Sequence, residues 1–113
     1  MANRRRGDTE LVIDGRRYTL RLTLGALAEL EEAFAVSDLA ALGERFNTGR
    51  LGARDIIAIL ACALRGGGHS MSDEEVAGLS AEAGVTPLAE AALRALEVAF
   101  GVASENPPAA QTE

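Results

Sequence analysis

The sequence predicts an α+β protein that is mostly α: an N-terminal β-hairpin packed on a small bundle of four to five helices. Three observations predict it. An Asp14-Gly15 dipeptide stands between two β-prone runs near the start. Beyond residue 23, apolar residues recur at helical spacing in blocks that open on capping residues. The chain has 113 residues, of which 48% are hydrophobic but only 4% aromatic. That length makes one domain, and that composition builds its core from Leu, Ile, Val and Ala.

The hairpin spans residues 9–23. Asp14-Gly15 suits a type I′ turn, which needs positive φ at both central positions. A two-residue turn pairs Ile13 with Arg16, Val12 with Arg17, Leu11 with Tyr18, Glu10 with Thr19 and Thr9 with Leu20. One face then carries Leu11, Ile13, Tyr18 and Leu20 toward the core. The other carries Glu10, Val12, Arg17, Thr19 and Arg21 toward solvent. A lone hairpin is marginal in water, so it must pack on helices.

Helices fill the rest. Thr23 caps a helix over 24–35, with Leu24, Leu27, Leu30 and Phe34 on its inner stripe and Glu29, Glu31 and Glu32 outside. Ser37 caps a short helix over 38–46, which Asn47-Thr48-Gly49 ends. A third runs over 53–65 and is apolar nearly all round (Ile56, Ile57, Ile59, Leu60, Cys62, Leu64), the mark of a central helix. Gly66-Gly67-Gly68 stops it, with Gly66 as a left-handed cap. Ser72 and Glu75 form a capping box that opens a helix over 73–79. Thr86-Pro87 starts the last helix, 87–100, with Pro at its first position. Its inner stripe is Leu88, Ala92, Leu96, Ala99 and Phe100, flanked by Leu93. Residues 1–7 read as a disordered basic arm, 8–100 as the globular domain, and 101–113 as a disordered tail poor in apolar surface.

Missing residues exclude whole classes of chemistry. All eleven bases are Arg. Without Lys there is no Walker A, Schiff-base or kinase-type lysine. One Cys and one His build neither a zinc site nor an intramolecular disulfide. Net charge is −6 and unevenly spread: residues 1–65 hold ten Arg against nine acids, residues 66–113 one Arg against eight. The acidic balance argues against nucleic-acid binding. No apolar signal core follows the basic start, and the longest apolar run is too short to span a bilayer, so a cytoplasmic protein without membrane contact is expected.

Each chemical motif has a plain structural reading. The triple glycine closes a helix, where a phosphate cradle would open one. His69 reads as a loop residue and Cys62 as a small hydrophobe within its helix. The carboxylates at 29, 31 and 32 and at 73–75 read as a solvated face and a favoured helix start. No catalytic, cofactor-binding or metal-binding residue is assigned, and no enzyme is expected. The candidate protein-interaction residues are Val12, Arg17, Thr19 and Arg21 on the hairpin's outer face, and Gly66, Gly67 and Gly68 as a hinge loop. The hairpin edges could accept another strand, and the Ala-rich helices leave shallow grooves for other helices.

The ordered stretch also resembles a known family. The run Leu20-Arg21-Leu22-Thr23-Leu24-Gly25-Ala26-Leu27-Ala28-Glu29-Leu30-Glu31 carries the resemblance first. Asp55-Ile56-Ile57, then Leu64-Arg65-Gly66-Gly67-Gly68, then Ser72-Asp73-Glu74-Glu75-Val76 follow in order. Over residues 8–100 the chain is similar to the small gene transfer agent family proteins. These are grouped with phage tail assembly chaperones and also labelled phage tail tube proteins. The resemblance implies a non-enzymatic role in building a phage-like tail, with the tape-measure protein and tail tube subunits as partners and self-association as a further option. A chaperone would hold the tape-measure protein soluble until tube subunits polymerise round it. A tube subunit, the alternative, would stay in the particle and should be β-rich. A small DNA-binding regulator using helices 53–65 and 73–79 is the third reading; its connecting loop is long and its second helix acidic.

Overall fold

A computed structural model of the chain describes residues 8–47 and 50–101. Strands β1 (Asp8–Ile13) and β2 (Arg16–Arg21) form a two-stranded antiparallel sheet. Among the described residues six helices follow: α1 (Leu24–Ala33), α2 (Leu39–Asn47), α3 (Ala53–Gly66), α4 (Asp73–Gly78), α5 (Ser80–Ala83) and α6 (Val85–Phe100). The α+β, mostly α class is the one the sequence predicts. The expected arm at 1–7, the 101–113 tail beyond Gly101, and Thr48-Gly49 of the predicted stop lie outside the described residues.

The hairpin has the predicted register and adds one pair, Asp8 with Arg21. Asp14 and Gly15 have φ of 52° and 79°, as a type I′ turn requires. Leu11, Ile13 and Leu20 are buried under the sheet, while Val12 on the opposite face is 54% exposed.

Helix α3 is the hub. It packs against β2, α1, α6 and α4. Its residues Ile59 to Leu64 are all buried in succession, so no side of the helix over those turns faces water. Leu30 from α1, Leu42 from α2, Val76 from α4 and Ala91, Ala92 and Leu96 from α6 close round it. Full burial of each such Leu or Val contributes about 1.5–3 kcal/mol.

Several boundaries move for identifiable reasons. Helix α1 ends at Ala33, two residues early. The Val36 amide donates to the Glu31 carbonyl and the Ala35 amide to Glu32, the paired bonds of a Schellman end. Leu24, assigned to the inner stripe, is 77% exposed, and Ala26 is buried instead. Asp38, and not Ser37, caps α2: its carboxylate accepts the Ala41 amide at 2.8 Å. Helix α3 takes in Gly66. The left-handed position falls at Gly68, φ 99°, where the His69 amide donates to the Leu64 carbonyl. The Ser72–Glu75 capping box forms as predicted, but α4 stops at Gly78 and a further turn, α5, follows. Helix α6 starts at Val85, which makes Pro87 its third residue. Proline is tolerated there because first-turn amides have no intrahelical acceptor. Gly101, assigned to the tail, closes α6 in the left-handed conformation.

Candidate functional site

The residues chosen from the sequence divide into two groups. Val12 and Arg17 stay on the outer face; Arg17 approaches Glu10 only to 3.9 Å with 70% of its side chain exposed. Thr19 and Arg21 are instead part of a seam with the glycines. In a two-residue hairpin the amides and carbonyls of Arg17, Thr19 and Arg21 point away from β1. The end of α3 lies against them. A Cβ on Gly66 would collide with the Arg21 carbonyl oxygen, and one on Gly67 with the Thr19 carbonyl oxygen. Only glycine allows a helix backbone to approach a strand edge this closely.

His69 completes the seam. The Thr19 amide donates to His69 Nε2 at 3.0 Å. The imidazole also meets the Tyr18 ring edge-to-face, with centroids 5.4 Å apart. A loop residue in the sequence reading is therefore a strand-edge acceptor. Of the glycines expected to act as a hinge, Gly66 and Gly67 pack against the strand while Gly68 has open space where its Cβ would be, and the β2 edge expected to stay open is covered at Thr19 and Arg21. On the other edge, Arg94 of α6 donates to the Glu10 carbonyl at 3.4 Å. Arg21 also clasps Asp8 through two bonds, Nε to Oδ1 at 2.5 Å and an outer guanidinium nitrogen to Oδ2 at 2.9 Å. No local pattern announces this seam, because its partners lie about fifty residues apart in the chain.

Cys62 is buried on the α1-facing side of α3. Its Sγ donates to Glu29 Oε1 at 3.4 Å, and Arg65 donates to the same oxygen at 2.8 Å. Burial pushes the thiol up to about 12, helped by the Glu29 carboxylate. The Arg65 guanidinium holds the Glu29 carboxyl below the usual carboxylate range. Such a thiol carries almost no thiolate at neutral pH, which leaves it a packing residue. Among the described residues, no group of three or more His, Cys, Asp or Glu is placed to hold a metal ion.

A concavity of about 470 Å³ lies between α2 and α6. Phe46 and Leu96 form its floor, Leu93 and Phe100 one wall, and Gly43 leaves the α2 side low. Glu44 stands on the α2 rim and Glu97 on the α6 rim. Phe46 sits between Phe34 and Phe100 in two edge-to-face contacts, at 5.2 and 6.3 Å, so the floor is fixed by ring packing. A second, smaller cleft of about 110 Å³ is lined by apolar residues of α3 and α6, among them Ile56, Ile57 and Val85. The Ala-rich helices predict shallow grooves, but the sequence does not say which pair of helices leaves one.

A hairpin sealed onto a helical hub, with an apolar furrow along one flank, defines a small α+β domain with surface suited to other proteins. Residues 6–102 match the model of a phage tail family described as phage tail tube protein, GTA-gp10. The chain belongs to that family, the gene transfer agent group it resembles by sequence. Neither a curated protein nor a solved structure matches it. No described helix is long and apolar enough to cross a membrane.

Proposed function

We propose that this member of the gene transfer agent tail family is a non-enzymatic tail assembly chaperone that binds the tape-measure protein while the tail is built. The observation that carries the reading is the state of the sheet. A ring-forming tube subunit needs strands that continue from one copy to the next. Among the described residues the sheet has two strands, β2 is covered by Gly66, Gly67 and His69, and Arg94 reaches across to β1. The open surface is instead a groove between helices, which suits a helical partner. The acidic second half would keep a complex with a long apolar partner dispersed.

The test is co-expression with the tape-measure protein of the same gene cluster. The chaperone reading expects soluble tape-measure protein that co-purifies with this chain, and purified particles that hold the chain only in traces by mass spectrometry. Stoichiometric presence in particles, without co-purification, would establish the tube component instead.

A further inference from the structure

We propose that the α2–α6 groove takes a partner helix whose apolar stripe is flanked on both sides by Lys or Arg. The inference deepens the chaperone reading and rests on it for the source of the helix.

The floor supplies the apolar half of the match. Phe46, Leu96 and Phe100 present carbon along the groove, and Leu93 is 44% exposed on its wall. Leu39 lies four residues before Gly43 on the same face of α2 and is 41% exposed, so the apolar strip extends one further turn. Nine residues of α2 make the groove roughly 13 Å long, enough for two to three turns of a partner helix. Anchors at i, i+3, i+4 and i+7 would reach the floor.

Charge selects the occupant. Glu44 and Glu97 are exposed carboxylates on opposite rims, one per helix, and no described residue lining the groove is a base. Arg45, next to Glu44 in sequence, is turned away: it pairs with Asp55 at 3.0 Å and stacks over the Phe34 ring at 5.3 Å. A second copy of this chain docked groove to groove would bring carboxylates against carboxylates. The segment after Gly101 carries Glu105 and Glu113 and no base, and meets the same repulsion. The arm at residues 1–7 has Arg4, Arg5 and Arg6 but lacks an apolar stripe for the floor. A foreign helix with basic flanks satisfies both floor and rims.

The experiment uses the full chain and two synthetic helical peptides with one apolar stripe, flanked by Arg in one and by Glu in the other. Titrations by fluorescence anisotropy are expected to show at least tenfold tighter binding of the Arg-flanked peptide, weakening with salt. The double variant Glu44→Arg/Glu97→Arg, at two exposed positions, is expected to invert the preference. Amide shifts on binding should map to α2 and α6. Equal binding of the two peptides, a preference untouched by the double variant, or shifts confined to the Ile56–Val85 cleft would each overturn the proposal. So would self-association of the unliganded chain that the double variant abolishes, which would make a second copy the occupant. A chain lacking residues 1–7 that binds the Arg-flanked peptide over tenfold tighter would make the arm the occupant, and would overturn it too. The two readings fail separately. Inverted peptide preference without tape-measure co-purification keeps the groove and removes the chaperone. A tape-measure complex indifferent to Glu44→Arg/Glu97→Arg keeps the chaperone and removes the groove.

Discussion

At the scale of single residues, Ala35 and Gly67 are complementary. Ala35 holds φ at 57°, in the left-handed position of a Schellman end where glycine is usual. Relieving that conformation gains about 1–2 kcal/mol, against about 0.5–1 kcal/mol for glycine's extra chain entropy. Ala35→Gly is therefore expected to stabilise the fold by about 0.5 kcal/mol in urea unfolding. Gly67→Ala sets a methyl against the Thr19 carbonyl, a backbone atom that cannot swing aside, and should cost about 1–3 kcal/mol. Gly78, the last residue of α4, has open space where its Cβ would be, so Gly78→Ala is the control and should gain about 0.5–1 kcal/mol.

Cys62 and Glu29 give stability two opposite dependences on pH. The folded thiol is raised to about 12 from 9.0, so above pH 9 the unfolded chain loses its proton first. Stability from this group is whole below that value and falls as pH rises toward 12. The Glu29 carboxyl is lowered by Arg65, so its contribution is present above the usual carboxylate range and is lost as pH falls through it. Unfolding midpoints from pH 3 to 11 should decline at both ends, and Cys62→Ala should flatten the alkaline decline most, with a smaller effect on the acid one through the lost thiol bond to Glu29. At pH 8, a thiol reagent is expected to label Cys62 only on unfolding.

Among the elements, α2 and α3 are the extremes. Helix α3 is buried over six consecutive residues, whereas α2 buries Leu42 and Phe46 and packs chiefly on α1. Few buried contacts mean a low cost of local opening. Amides of α2 are expected to exchange with deuterium at least tenfold faster than those of Ile59 to Leu64, and occupation of the groove should slow them. The elements also differ in how legible they are. The hairpin register follows from Asp14-Gly15 alone, because a two-residue turn leaves one pairing. The Ser72–Glu75 capping box and the centrality of α3 follow from local spacing in the same way. The end of α1 does not, since a left-handed alanine breaks the rule that reads glycine as the stop. Nor does the α3 terminus, where three successive glycines leave the left-handed site, Gly68, undetermined by local pattern.

For the whole molecule, what escaped the sequence is what depends on distance. Gly66, Gly67 and His69 gain their meaning from Thr19 and Arg21, and Glu44 from Glu97, across gaps that no window spans. Family membership was legible because it rests on the order of many local signals over nearly the whole domain. The uneven charge belongs to this scale as well. Replacing Glu74, Glu75, Glu82 and Glu90 together by Gln preserves the Ser72 capping box, which Gln also closes. The thermal midpoint of the chain should change little. The soluble fraction of its tape-measure complex, measured by sedimentation, is expected to fall, and an unchanged fraction would remove the solubilising role of the acidic half.

The seam between β2 and the end of α3 sets a timetable for synthesis. The hairpin leaves the ribosome before the groups that cover its edge, which are encoded about fifty residues later. At about 5–20 residues per second, roughly 3–10 s pass between the emergence of Thr19 and that of His69. For that interval the β2 segment of each nascent chain lacks the groups that pair its outward edge, and on a crowded polysome neighbouring chains carry the same segment. Slow codons between the two would lengthen the exposure, so the coding stretch that follows the hairpin is where translation speed bears on yield.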